Sequence, residues 1–228
     1  MYTHINLDEW NMSMISYDEI YQYLSSNRHV ANYIRTLDIT IVYLDIDDSS
    51  QWYIQVPSIL QMLPSSLEKI TLSSLVHIGA TGIVPIAWSD LPATFRKAFL
   101  DCLWSPNIIE VSMERIGGFP LSIFNPCTRL KKLSLLQVKC TPTTSDAQFP
   151  PQIDSLMLSR SEDLATIVSW AKTGQDLRSL NFRLDYRVDH RVGYGQLTGL
   201  LDSYSDNLTK LQLDFQPLCR FTFYARNS

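Results

Sequence analysis

A chain of 228 residues with 45% hydrophobic and 18% charged residues is long enough to bury a sizeable core, as one large domain or two small ones. Its 19 basic and 23 acidic residues leave a formal charge of -4. No Lys/Arg-rich run supplies the footprint of a phosphate-backbone binder, so nucleic acid is not an expected partner. The start, "MYTHINLDEWNM", lacks a basic segment leading into an apolar one, and no run approaches the roughly 18 apolar residues of a membrane span. These features exclude a membrane partner from the expectation and point to a cytoplasmic or nuclear protein.

In "ISYDEIYQYL", Ser16 stands three residues before Glu19, the spacing of a capping box, and Ile15 and Ile20 hold the positions of a hydrophobic staple. This predicts an amphipathic helix over residues 17 to 25 that caps the chain's N-terminal end, residues 1–32.

From Ile34 onward one phrase recurs, apolar-x-x-apolar-x-apolar. It reads "IRTLDI" from Ile34, "LEKITL" from Leu67, "IIEVSM" from Ile108, "LKKLSL" from Leu130, "IDSLML" from Ile153, "LRSLNF" from Leu177 and "LTKLQL" from Leu208. A random chain of this composition would show the pattern about three times. Here there are seven copies, two with one defect each at Ile109 and Met157, and their starts lie 33, 41, 22, 23, 24 and 31 residues apart. Turn-forming phrases such as "LPSS", "SPN", "NPCT" and "FPPQ" precede them, as expected where a chain bends into a short strand.

Between copies the periodicity becomes helical in "VPSILQML", "LPATFRKAFLDCLW" and "SEDLATIVSWAK". In the second, Phe95, Phe99 and Leu103 are placed on one face and Arg96, Lys97 and Asp101 on the other. Strands alternating with outer helices predict an α/β solenoid with a parallel sheet on its concave side. About seven repeats span residues 33–215 of a single domain, 1–228, and residues 216–228 form a tail whose "FTFY" offers one more strand.

Strand alternation separates the template positions. The first, fourth and sixth point inward. The third, fifth and seventh face outward and supply the candidate partner-binding residues Lys69, Glu110, Glu114, Lys132, Asn181, Arg183 and Lys210. The phrase "RLDYRVDHR" adds Tyr186 and Arg187, residue types favoured at interfaces. The partner expected of such a surface is a protein.

Catalytic patterns are sparse. The four histidines, His4, His29, His77 and His190, accompany no G-x-S-x-G elbow and no phosphate-binding G-x-x-x-x-G-K-[ST] loop. Asp45, Asp47 and Asp48 lack the glycine and distal Glu of a calcium loop, and Gly117-Gly118 reads as a turn. Cys102, Cys127, Cys140 and Cys219 are too widely spaced for a zinc cluster and read as packed thiols. No enzyme, cofactor or metal is expected; a hydrolase or metal-dependent enzyme of unrecognised type is the alternative class.

The phrases "YIRTLDI", "SILQMLPSSLEKITL" and "LPATFRKAFLDCLWSPNIIEVSMERIGGFPLSIFNPCTRLKKLSLLQV" resemble the leucine-rich-repeat-like region of F-box proteins from mushroom-forming fungi, over about Asn27 to Val138. The resemblance implies a substrate-recognition region of a ubiquitin ligase, with the Skp adaptor as a partner if an F-box lies upstream. The 26 residues before Asn27 are too few for the helices of an F-box. The repeat asparagine of that architecture, eight residues after the first apolar position, is replaced by Val42, Leu75, Ile116, Val138, Ser161, Asp185 and Gln216. The turn it normally makes must be built in another way.

Overall fold

Each of the seven phrases forms a strand. The computed structural model describes residues 4–8, 16–41, 51–63, 66–75, 85–141, 151–159, 166–167, 170, 177–185, 198–199, 202, 208–216 and 219–224. Its strands are β1 (His4–Asp8), β2 (Thr36–Ile41), β3 (Lys69–Ser74), β4 (Ile86–Ala87), β5 (Glu110–Glu114), β6 (Ile116–Pro120), β7 (Lys132–Leu136), β8 (Lys139–Thr141), β9 (Ser155–Ser159), β10 (Ser179–Asp185), β11 (Lys210–Gln216) and β12 (Cys219–Tyr224). Nine of them make one open sheet in the order β1-β2-β3-β5-β7-β9-β10-β11-β12. The first eight run parallel, and β12 returns antiparallel on β11. The apolar "FTFY" thus forms a closing strand.

The register is that of the sequence template. Thr36, Lys69, Glu110, Lys132, Ser155, Ser179 and Lys210, all third positions, lie side by side across the sheet. Fourth and sixth positions such as Leu37 and Ile39, Ile70 and Leu72, Val111 and Met113, and Leu133 and Leu135 are buried. So are the first-position Ile34, Leu67, Ile108 and Leu130. The core is a stack of these three columns, and a shift by one residue would turn every one of them to the other face.

Behind the sheet lie helices α1 (Tyr17–Ser26), α2 (Arg28–Ala31), α3 (Gln51–Leu60) and α4 (Ala93–Leu103). The capping box of α1 is formed: Glu19 N–H donates to Ser16 Oγ at 3.2 Å, and Ser16 N–H donates to Glu19 Oε2 at 2.8 Å. The helix does not merely cover the first unit. It connects β1 to β2, so the expected N-terminal cap contains a further strand paired in the same register as the rest. On α4, Phe95, Phe99 and Leu103 are buried while Lys97 and Asp101 are exposed, as the 3.6-residue period requires. Helix α3 packs against both α1 and α4. Of "SEDLATIVSWAK", residues 166, 167 and 170 are described and helical, with Ile167 and Trp170 buried.

Adjacent units are joined behind the sheet by side chains that donate to carbonyls of a neighbouring element. Ser66 Oγ reaches Ala31 O at 2.7 Å, Cys102 Sγ reaches Leu60 O at 3.2 Å and Cys127 Sγ reaches Leu103 O at 3.3 Å. Trp104 Nε1 donates to Ile123 O at 2.8 Å. These groups satisfy helix-end carbonyls that have no partner inside their own helix. The described thiols are packed, as their spacing suggested: Cys102, Cys127 and Cys140 are buried. Burial, helped by the charge of Asp101, pushes Cys102 up to about 12, and burial alone does the same for Cys127.

The corner that replaces the missing asparagine uses left-handed backbone. Arg115 (φ 56) and Gln137 (φ 54) follow β5 and β7 directly and turn the chain into β6 and toward β8. The backbone N–H of each donates to the next strand: Arg115 to Leu136 O at 2.8 Å, Gln137 to Ser159 O at 2.6 Å. The residues standing at the asparagine position, Ile116 and Val138, are buried instead of polar. Strands β4, β6 and β8 form a second, three-stranded parallel sheet. Gly117-Gly118 therefore lies in β6 rather than in a turn, and Gly118 (φ 67) forms the bulge that shifts the register between Gly117 and Phe119.

Two measurements by urea denaturation test this account. Leu135→Ala, at a fully buried sixth position, is expected to cost about 2–5 kcal/mol, whereas Leu136→Ala on the half-buried outward position costs less than about 1 kcal/mol. Gly118→Ala has no steric obstacle but a left-handed φ, and is expected to cost about 1–2 kcal/mol. Gly117→Ala, whose Cβ would meet Ile86 O at an ordinary 3.7 Å, should change stability by less than about 0.5 kcal/mol.

Candidate functional site

The outward face of the nine-stranded sheet collects the third, fifth and seventh positions. Its third-position row reads His4, Thr36, Lys69, Glu110, Lys132, Ser155, Ser179, Lys210 and its fifth-position row Asn6, Asp38, Thr71, Ser112, Ser134, Met157, Asn181, Gln212, because parallel register places like positions in line. Short hydroxyl side chains dominate the middle of this face. Ser73, Ser159 and Gln212, expected outward, are buried. Ser73 Oγ donates to Thr40 Oγ1 at 3.1 Å, so the seventh-position row is partly closed by its own hydrogen bonds.

Three of the expected residues meet in one ion-paired group. Glu110 on β5 lies between two lysines, with Lys69 Nζ at 2.7 Å from β3 and Lys132 Nζ at 3.5 Å from β7. Partial burial raises the Glu110 carboxyl, but the Lys69 hydrogen bond and the charges of Lys69 and Lys132 outweigh it and hold the group below its ordinary value. Glu114, four residues along β5, forms a separate pair with Arg115 Nη2 at 2.9 Å. Arg115 in turn donates from Nε to Gln137 Oε1 at 2.8 Å and from Nη1 to Ser74 O at 3.4 Å, which ties the β5 and β7 corners together.

Lys210 stands four strands from Glu110 in the same row. Asn181 is half-buried on β10, and its Oδ1 has no hydrogen-bond partner among the described residues. Arg183 is in β10, while Tyr186 and Arg187 lie outside the described residues, as do His77, His190 and Asp45, Asp47 and Asp48. His29 is exposed on α2. His4 Nε2 is 2.9 Å from Asp38 Oδ2, on a strand that precedes the seven repeats expected from the sequence.

A second row of charges runs along the strand entries, at the template's second position. Arg35 Nε pairs with Glu68 Oε1 at 3.3 Å and Lys131 Nζ with Asp154 Oδ1 at 3.8 Å, with the uncharged Ile109 between the two pairs, and Arg178 continues the row. Its charged residues were legible as charged but not as neighbours, since their proximity exists only in the stacked register. No group of three or more His, Cys, Asp or Glu side chains with metal-holding geometry occurs among the described residues, and no described helix is long and apolar enough to cross a membrane. No protein-family model, curated protein or solved structure matches the chain.

The Glu110 bridge yields a pH-dependent expectation. A carboxyl held below its unfolded value stabilises the fold above that value, and the contribution disappears as pH falls through the folded value. Because the group is largely solvent-screened, Glu110→Gln should cost less than about 1 kcal/mol at pH 7. At pH 3 the stability difference between wild type and variant should shrink toward zero, as read from paired urea titrations at the two pH values.

Proposed function

We propose that the chain is a leucine-rich-repeat-like solenoid that acts as a non-enzymatic protein-interaction module, with the nine-stranded sheet as its binding face. The observation that carries the reading is the column alignment: seven strands stack position for position and leave open rows of polar side chains at fixed spacing. Parallel strands sit about 4.8 Å apart, whereas packed helices need 8–10 Å. Units backed by α1, α3 and α4 would therefore spread on the helix side and bend the sheet into a concave surface. Each unit then touches only its neighbours, as solenoid stacking requires.

The resemblance of residues 27–138 to the repeat region of fungal F-box proteins supports a narrower assignment, the substrate-recognition region of an F-box-type ubiquitin-ligase component. A surface of this kind would hold a protein substrate through residues such as Lys69, Glu110, Lys132 and Lys210. The Skp adaptor would be contacted by an F-box elsewhere in the gene product.

Ser112→Trp with Ser134→Arg places two bulky groups in the middle of the fifth-position row. Both sites are half-buried and outward, so the fold should lose less than about 1 kcal/mol. Capture of the protein's partners by the tagged full-length gene product should fall at least tenfold in quantitative co-purification; unchanged capture would remove the sheet face as the interface. Wild-type protein is expected to bring down a Skp adaptor, and its absence would withdraw the ligase assignment alone.

A further inference from the structure

The charges on the strand-entry side of the sheet are not evenly spent. In the first half, Arg35 is matched by Glu68 and Lys69 by Glu110, at 3.3 and 2.7 Å. In the second half the pairing is longer and incomplete. Lys132 reaches only the carboxylate already held by Lys69, at 3.5 Å, and Lys131 stands 3.8 Å from Asp154. Arg178 and Lys210 enter no ion pair among the described residues.

Within this half the third-position row, from β7 to β11, reads Lys132, Ser155, Ser179, Lys210. Every member donates hydrogen bonds and none is an acid. The chain as a whole carries a formal charge of -4, so this basic strip is a local reversal.

We propose, resting on the interaction-module reading, that this strip docks an acidic protein segment rich in Asp and Glu, laid across the strands from β7 to β11. Three strand spacings make the strip roughly 14 Å long, which an extended segment covers with about five residues. Alternate side chains of that segment point to the sheet, so two or three carboxylates meet Lys132, Arg178 and Lys210, with Ser155 and Ser179 donating between them. The paired first half of the rim offers no such demand for anions, which sets the position of the segment along the sheet. Nucleic acid is the less favoured polyanion: four cations within 14 Å suit a few carboxylates, while the acidic remainder of the molecule repels an extended phosphate backbone.

The test is fluorescence anisotropy with the full chain and three labelled probes: a ten-residue peptide alternating Glu and Gly, its Lys-Gly counterpart, and a ten-nucleotide single strand of RNA. The Glu-Gly peptide is expected to bind with salt-sensitive affinity. Lys132→Glu with Lys210→Glu should weaken it at least tenfold, whereas Arg28→Glu, on exposed α2, should change it less than twofold. Circular dichroism melting shows whether the double variant is folded; should it not be, Lys132→Gln with Lys210→Gln replaces it, with a loss of at least threefold expected. No binding of the Glu-Gly peptide, equal weakening by Arg28→Glu, or tighter binding of RNA would overturn the proposal. If the acidic peptide fails to bind while Ser112→Trp with Ser134→Arg still abolishes partner capture, the acidic-segment proposal falls and the interaction-module reading stands.

Discussion

The structure depends on one carbonyl per unit. The residue just before each strand accepts two backbone N–H bonds from the next: Arg35 O from Glu68 and Lys69, Glu68 O from Ile109 and Glu110, Ile109 O from Lys131 and Lys132, Lys131 O from Asp154 and Ser155, Asp154 O from Arg178 and Ser179, and Arg178 O from Thr209 and Lys210. Each distance falls between 2.8 and 3.1 Å. The forked bond is made before the strand proper begins, so it sets where the strand starts pairing. With side chains alternating every residue, that starting point decides which columns are buried and which are offered to solvent. The core of leucines and isoleucines and the polar face in front of it are two consequences of the same register.

At the opposite end of the strands the register is held by a different device. A repeat built on asparagine ladders satisfies its corner with side-chain amides. Here Ile116 and Val138 bury apolar groups at that place, and the turn is carried one residue earlier by Arg115 and Gln137 in left-handed conformation. Such backbone is costly for residues other than glycine. It persists because the surroundings hold it: each N–H finds a strand carbonyl, and the two side chains bond to one another across the corner. Glu114 completes the arrangement by neutralising the guanidinium.

Much of the sheet was readable beforehand because its repeated unit is short and its buried positions are apolar almost without exception. The seven strands, their alignment and their inward columns follow from six template positions. Strand β1 was not foreseen: "YTHINL" from Tyr2 fits the template only if tyrosine is admitted at the first position, although it pairs with β2 in the same register. The second sheet was not legible. Its strands are two to five residues long and one contains a glycine bulge, so neither alternation nor β-branched enrichment marks them. The site was half legible. Which residues face outward follows from periodicity; that Lys69, Glu110 and Lys132 share one carboxylate follows only from strands 22 to 41 residues apart in sequence lying side by side.

The spacing between strands varies almost twofold, yet the face stays regular, and the reason lies in how the two sides of the molecule are joined. In front, units are joined by a backbone ladder that tolerates no insertion. Behind, units are also linked by single donors: Ser66, Cys102 and Cys127 each reach back to a carbonyl that ends a helix of the preceding unit, and Trp104 reaches forward to Ile123 O in the next. A point contact of that sort can be met from an eleven-residue helix such as α4 or from the four-residue 3-10 turn Leu121–Phe124. Length can therefore change in the rear layer without moving any residue of the face. A fold partitioned in this way allows the outward side chains to be exchanged singly against a constant grid.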